Sequence, residues 1–258
     1  MESSNIEPQT SNKLMEVHHH SHSGHDEAKK WTTHLWDFFM LFLAVTLGFF
    51  VENQREHYVE HQREKLYMKS MIGDLEKDIF MLHNVLVRTQ RVLDNIDTAL
   101  TILQITPVDK SNIPTLYRVN LKLLSYTSPS FTDRTTVQLK NAGAMRLIRN
   151  EETVGGIVDY WTAADDIKLI SEQLDDFRVK ARERSYGIFN QKYYAKGEVN
   201  NLQIFPDMKL MIQDNYVLTE FANRLSHIQG LAMNRYQPAI EEQIKKATDL
   251  IETIKNHY

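Results

Sequence analysis

A repeating spacing of apolar residues runs through the chain from Met68 to Leu103. Positions recur there at alternating steps of four and three: Met68, Ile72, Leu75, Ile79, Leu82, Leu86, Thr89, Leu93, Ile96, Leu100 and Leu103. A second row lies one position before three of them, at Val85, Val92 and Ala99. The spacing is typical of the inner face of a coiled coil, and the second row favours packing against several helices of a bundle. Pro107 is expected to end this helix.

An apolar run precedes this helix, from Leu35 to Val51, and holds one ionisable residue, Asp37. Its length of roughly 25 Å, at about 1.5 Å per residue, is slightly short of a membrane hydrocarbon core. Aromatic residues that favour the headgroup zone flank it at Trp31, Trp36 and Tyr58. We predict a transmembrane helix over residues 31–51. A buried core helix would show a polar face, and a cleaved signal peptide would need small residues where this run has Phe49, Phe50 and Val51.

The segment after residue 51 is polar on every face and rich in helix formers, so the membrane helix is expected to continue out of the bilayer. Beyond Pro107 the pattern predicts a short helix over Ile113–Tyr126, a helix capped by Asp133 and closed by Gly143, a long helix capped by Asn150, and a final helix over Tyr216–Asn256 with a bend at Pro238. No segment shows the alternation of a strand. The predicted fold is all-α: one N-terminal transmembrane helix continuing into an antiparallel helical bundle over residues 52–258.

Residues 1–30 are polar and rich in histidine, which predicts a disordered tail. Five histidines of this tail are candidate ligands for zinc or nickel: His18, His19, His20, His22 and His25. A solvated linker is the alternative interpretation and the favoured one, because the pattern implies no fixed coordination geometry.

Composition excludes several classes of function. The formal net charge is -4 and no dense basic patch with interleaved aromatic residues occurs, which excludes a nucleic-acid binder. The absence of cysteine excludes disulfides, thiolate metal sites and cysteine nucleophiles. The sequence also lacks a phosphate-binding loop, a dinucleotide fingerprint and the common hydrolase and metalloprotease motifs. We therefore predict no cofactor and no enzymatic activity.

The remaining polar and aromatic candidates have simpler explanations. Two carboxylate pairs occur, at Asp165 with Asp166 and at Asp175 with Asp176. Adjacent helical residues diverge by about 100°, so these pairs are expected on solvated faces. Two histidines beside apolar stripes are interpreted as boundary residues rather than ligands, and three aromatic residues as packing or interface anchors: His83, His227, Phe131, Tyr193 and Tyr194.

The segment FTDRTTVQLKNAGAMRLIRNEETVGGIVDYW, taken with the preceding span and polar helix, resembles an uncharacterised family of bacterial single-pass membrane proteins common in the Bacteroidetes group. The block from Leu139 to Asn150 and the following Tyr160 carry most of the resemblance. Members typically have a basic N-terminal tail, which implies a cytoplasmic tail and a periplasmic helical domain. This chain has a histidine-rich tail instead. The resemblance implies no activity and no catalytic residue.

Topology and function follow from these features as expectations. Lysines before the span and basic residues after it nearly balance, but an apolar helix with the bulk of the chain behind it is typical of a signal anchor. We expect a bacterial inner-membrane protein with a cytoplasmic N-terminus and a periplasmic domain. Two functions stay open: a scaffold binding itself or another membrane or periplasmic protein, and an accessory subunit of a transport or proton-driven motor complex with Asp37 as its intramembrane carboxylate.

Overall fold

The computed structural model of the protein describes residues 27–122, 128–195 and 204–258, and every regular element within these ranges is helical. In chain order the elements are α1 (Glu27–Leu103), α2 (Ile113–Lys122), α3 (Arg134–Asn141), a 3₁₀ turn (Ala144–Leu147), α4 (Glu151–Ser185), a second 3₁₀ turn (Gln191–Tyr193), α5 (Asn215–Leu231), a π-helical turn (Ala232–Tyr236) and α6 (Gln237–His257). The predicted all-α bundle is confirmed. The helix predicted to reach Tyr126 ends at Lys122, and residues 123–127 lie outside the described ranges.

The chain divides into two compact units, Met1–Tyr58 and Val59–Tyr258. The bundle, predicted from residue 52, therefore begins at Val59 in this division. In the first unit, the described part of α1 exposes its side chains on all faces. The hydroxyl of Thr46 donates to the carbonyl of Phe42 at 2.8 Å, so this polar side chain is satisfied within its own helix.

Within the described residues, α1 holds one stretch that is long and apolar enough to cross a membrane. Its best 18-residue window has a mean hydropathy of 1.8, and none of that window is buried. Length and composition alone carry this finding, and an N-terminal signal sequence would share both properties.

The second unit buries one face of α1 in the register of a seven-residue repeat. The buried positions are Glu64, Met68, Met71, Asp74, Leu75, Asp78, Leu82, Val85, Thr89, Val92, Leu93, Ile96, Ala99 and Leu103. Four members of the predicted apolar row are only half-buried: Ile72, Ile79, Leu86 and Leu100. The centre of the buried face is therefore displaced toward the row of Val85, Val92 and Ala99, because helices of the bundle flank α1 on that side as well.

The long helices run in two directions. Glu64 of α1 contacts Arg149, just before α4 begins, and Asp78 contacts Tyr160 of α4, so α4 runs parallel to α1. Tyr258 contacts Glu64, which makes α6 antiparallel to both. Because α1 and α4 are parallel, the chain must return from the end of α1 to the start of α4. The segment that contains α2 and α3 makes this return.

Helix α6 packs closely against α4. A Cβ atom added at Gly156 would lie 2.9 Å from Cδ1 of Leu250, so the glycine lets these two helices pack without a clash. The helix predicted over Tyr216–Asn256 is interrupted just before Pro238 by a single π-helical turn, Ala232–Tyr236, between α5 and α6. Proline cannot donate a main-chain hydrogen bond, and a widened turn accommodates its ring.

Candidate functional site

Three carboxylates lie on the buried face of α1: Glu64, Asp74 and Asp78. Their residues are 0%, 2% and 1% exposed, respectively. Sequence reasoning missed them. The signal that was available is the seven-residue row at Met71, Asp78, Val85, Val92 and Ala99, in which Asp78 is the polar exception. A carboxylate at a core position needs partners, because burying an unpaired charge is costly.

Asp78 joins α1 to two later segments. One carboxylate oxygen accepts from the main-chain N–H of Thr132 at 2.8 Å, and the other accepts from the hydroxyl of Tyr160 at 2.7 Å. Burial raises the pKa of the Asp78 carboxyl above its usual range. Burial, together with the nearby Asp78 charge, also raises the pKa of Tyr160, so the phenol stays a donor.

Asp74 caps α3 from another helix. Its carboxylate accepts from the main-chain N–H of Thr135 at 3.2 Å and from the hydroxyl of the same residue at 2.5 Å, with Arg134 also at 3.2 Å. Asp133 occupies the predicted N-cap position, but its side chain makes no capping hydrogen bond. That part of the capping prediction was wrong, because the tertiary fold supplies the acceptor from α1 instead.

Glu64 lies on the same buried face of α1, closer to the start of the bundle than Asp74 and Asp78. It accepts from the main-chain N–H of Arg149 at 2.7 Å and from the hydroxyl of Tyr258 at 2.8 Å, and it contacts Nδ1 of His61 at 3.0 Å. Burial alone would raise the pKa of Glu64, but these hydrogen bonds outweigh it and the pKa is lowered. Burial and the bond to Glu64 raise the pKa of Tyr258 to about 12.

These three carboxylates direct their oxygens at main-chain amides and hydroxyls of their own fold. Each holds the segment before α4, or α4 itself, against α1. This is the arrangement of structural clamps. Among the residues that the structure describes, no cluster of three or more His, Asp or Glu side chains is placed to hold a metal ion.

The candidates named from the sequence are dispersed. The five tail histidines lie outside the described residues, and Asp37 is exposed on α1. Of the carboxylate pairs, Asp165 pairs with Lys168 at 3.0 Å, Asp176 with Lys180 at 2.6 Å, and Asp175 with buried Arg178 at 2.8 Å.

The aromatic and histidine candidates pack within the fold or lie on its surface. His227 stacks edge-on against Phe177, with 4.3 Å between the ring centroids, and Phe131 does so against Tyr160 at 6.4 Å. The hydroxyl of Tyr193 donates to the carbonyl of Asp207 at 2.8 Å. The hydroxyl of Tyr194 donates to the main-chain carbonyl of Tyr117 at 3.2 Å and accepts from the side-chain amide of Asn120 at 3.0 Å. His83 is exposed.

One end of the bundle concentrates exposed apolar side chains. At this end α1 and α4 terminate and α5 begins, since Arg184 of α4 contacts Glu220 of α5 and Val108, just after α1, bonds to Gln213, just before α5. Three loops cover it, over residues 104–112, 186–190 and 204–214. We call the following residues the end surface: Ile105, Tyr186, Ile204, Met211, Ile212 and Tyr216. Their exposed fractions range from 37% to 77%. Large exposed apolar groups gathered in one region mark interaction sites more often than scattered ones do.

Hydrogen bonds hold these loops in place. Gln213 accepts from the main-chain N–H of Val108 at 2.7 Å, and the main-chain N–H of Met211 donates to the carbonyl of Ile188 at 2.8 Å. The hydroxyl of buried Tyr117 donates to the carbonyl of Lys209 at 3.0 Å. The end surface is therefore preformed rather than assembled on binding.

Charged residues of both signs accompany the end surface. These loops and the adjoining 3₁₀ turn Gln191–Tyr193 carry three exposed aspartates and three exposed lysines: Asp109, Lys110, Lys192, Asp207, Lys209 and Asp214. Lys192 and Asp207 form a direct ion pair at 3.4 Å. The end is thus electrically balanced, unlike a surface for nucleic acid or anionic lipid.

Comparison with known proteins found no matching family model, no similar curated protein and no similar solved structure. The argument for function therefore rests on the geometry of this chain.

Proposed function

We propose that this protein is a membrane-anchored, non-catalytic scaffold whose helical domain docks a protein partner through the end surface. The observation that carries the proposal is the presence of six exposed, large apolar side chains at the end of the bundle where α1 and α4 terminate and α5 begins. Packed cores hide such groups, and their exposure lowers solubility unless a partner covers them.

The anchor in this proposal is the apolar part of α1. Its 18-residue window is apolar and unburied, and aromatic residues flank it at Trp31, Trp36 and Tyr58. The lipid bilayer would cover these side chains. We infer that the span sits in a bacterial inner membrane, with the tail in the cytoplasm and the helical domain in the periplasm, as the signal-anchor pattern and the family resemblance imply.

The hydrogen bonds of the buried carboxylates support a non-catalytic role. The buried carboxylates of α1 face internal amide and hydroxyl donors, so their hydrogen-bonding capacity serves the fold. A catalytic acid or base must reach the proton of a substrate. The exposed carboxylates pair with neighbouring lysines on the same helix, as solvated faces commonly do.

The test separates anchoring from docking. The full chain should stay with membranes after alkaline carbonate extraction, and deletion of residues 31–51 should release it. An affinity-tagged full chain, purified in mild detergent, should retain a bound protein that the double variant Ile105→Asp/Tyr216→Asp loses. Leu169→Asp is the matched control, because Leu169 is similarly exposed but lies on the side of α4. Release of the intact chain by carbonate would refute the anchor, and equal partner retention by both variants would refute the docking site.

A second candidate function rests on Asp37, an ionisable residue within an otherwise apolar part of α1. A carboxylate inside a membrane span is costly unless it reaches water, a partner or a proton path. In an accessory subunit of a transport or motor complex, Asp37 would face another subunit. Asp37→Asn would then abolish the activity of that complex while leaving the end-surface partner bound.

A further inference from the structure

We propose that a cavity between α1, α2, α4 and α5 binds a monatomic anion, chloride or another halide, beside Arg182. This site is independent of the membrane anchor and of the proposed docking function. The cavity has a volume of about 20 Å³. Six apolar side chains of α1, α4 and α5 line it, together with three polar ones, Asn120, Arg178 and Arg182.

The polar lining of the cavity is positively charged. Arg178 and Arg182 lie about one helical turn apart on α4, and none of the described residues that line the cavity is a carboxylate. Buried Arg178 forms an ion pair at 2.8 Å with Asp175, whose side chain is 59% exposed. The Nε–H of Arg182 is buried and has no acceptor among the described residues. A buried donor on a charged group is costly to leave unpaired, so this atom needs an acceptor that the chain itself does not supply.

Asn120 adds a neutral donor to the lining. The hydroxyl of Tyr194 donates its one proton to the carbonyl of Tyr117 at 3.2 Å, so toward Asn120 it can only accept, from Nδ2 at 3.0 Å. This bond fixes the orientation of the Asn120 amide and leaves Nδ2 with one further N–H. Asn120 is 4% exposed, which keeps that N–H away from bulk water and makes it available to an acceptor in the cavity.

The size and the charge of the cavity together select the ligand. A single water needs about 10–15 Å³ by the same measure, so this cavity has room for one ion slightly larger than water but not for a carboxylate, phosphate or sulfate group. Water would fill the space and leave the positive charge of Arg182 unbalanced. A halide supplies the opposite charge and accepts from several donors at once, and the apolar walls strengthen that attraction. Arg182 is half-buried, which gives an ion a way in from solvent.

The line width of the chloride nuclear magnetic resonance signal tests the site in the full chain, purified in a non-ionic detergent and exchanged into sodium gluconate. Chloride that exchanges with a protein site gives a broadened signal. Added sodium bromide should remove the excess width by competition, whereas sodium sulfate at equal ionic strength should leave most of it, because sulfate does not fit the cavity. No excess width, or equal competition by bromide and sulfate, would overturn the inference.

Two variants connect the signal to the cavity. Arg182→Gln should lower the chloride affinity roughly tenfold or more, because it removes a hydrogen bond from a charged donor. Arg91→Gln is the matched control, since Arg91 is exposed on α1 beside the lining residue Val92 but does not line the cavity itself. The control should bind chloride as the wild type does. Equal losses in both variants would indicate general charge attraction and overturn the site.

A direct measurement on the wild-type chain decides the question even if Arg182→Gln fails to keep its helical circular dichroism signal. Crystals of the full chain soaked in sodium bromide should show an anomalous scattering peak inside the cavity, next to the guanidinium of Arg182. A water molecule only, or bromide bound only elsewhere on the chain, would overturn the inference. The anchor and the docking surface are tested separately, by carbonate extraction and partner retention.

Discussion

Replacing Asp78 by alanine removes one acceptor that serves a buried donor, Tyr160, and a half-buried one, Thr132. The main-chain N–H of Thr132 and the hydroxyl of Tyr160 both point at this carboxylate, at 2.8 Å and 2.7 Å. Tyr160 is 4% exposed, so water cannot readily replace the lost acceptor. The variant also frees the segment before α3 from α1.

The expected loss can be built from these two donors. A buried donor left without an acceptor costs about 1–3 kcal/mol, and a half-buried one less, so Asp78→Ala should lower the free energy of unfolding by about 2–4 kcal/mol. Tyr160→Phe alone should cost about 1 kcal/mol, since Asp78 keeps its bond from Thr132. The double variant Asp78→Ala/Tyr160→Phe leaves no hydroxyl without an acceptor. Its loss of unfolding free energy should therefore be about 1–2 kcal/mol smaller than the sum of the two single losses.

Urea unfolding of residues 59–258 at pH 7, followed by circular dichroism, measures all four corners of this cycle. Asp165→Ala is the control, because its side chain is 68% exposed and its surface ion pair with Lys168 should contribute below about 0.5 kcal/mol. Strict additivity of the two core variants would contradict the direct bond between Asp78 and Tyr160. A loss from Asp78→Ala no larger than that of the control would refute its structural role.

Four other results are expected. Residues 59–258 without the span should be soluble and predominantly helical, and a far-ultraviolet spectrum dominated by β-structure would contradict the bundle. Glu64 has a lowered pKa, so its contribution is present above the ordinary value of 4.5 and is lost as pH falls through the folded-state pKa. Glu64→Gln should therefore cost about 1–2 kcal/mol in urea unfolding at pH 7, and this deficit should shrink as the pH falls below 4.5. A deficit that grows on acidification would reverse the assigned sign. Alkaline phosphatase fused after Tyr258 should be active, whereas an inactive fusion with a fluorescent cytoplasmic counterpart would invert the proposed topology. Asp37→Asn should leave membrane insertion unchanged but weaken association or activity in a motor-type complex, and wild-type complementation and co-purification would exclude that second function.

Local signals in the sequence were sufficient for much of the fold. The spacing from Met68 to Leu103 predicted a bundle helix, Pro107 predicted its end, and Asn150 predicted the start of α4. The cap at Asn150 is confirmed, since its side chain accepts from the main-chain N–H of Thr153 at 2.7 Å. Periodicity and capping act within one or two turns of a helix, so they can be read from neighbouring residues.

Contacts between distant residues decided what the pattern could not. The bond between Asp78 and Tyr160 joins residues 82 apart, and that between Glu64 and Tyr258 joins residues 194 apart. A polar residue in an apolar repeat can be surface or core until its partners are known. Only the packed structure made these acids core residues.

The direction of α4 and the end surface depend on the same long-range order. Nothing in the local pattern distinguishes a helix parallel to α1 from an antiparallel one, because both bury the same face. The end surface gathers Ile105, Tyr186 and Met211 from loops far apart in the chain, and each would count alone as an ordinary exposed residue. The sequence by itself determined which residues form helices and which faces are apolar. The tertiary structure decided which faces meet and which stay uncovered, because that choice depends on packing between segments that no local spacing records.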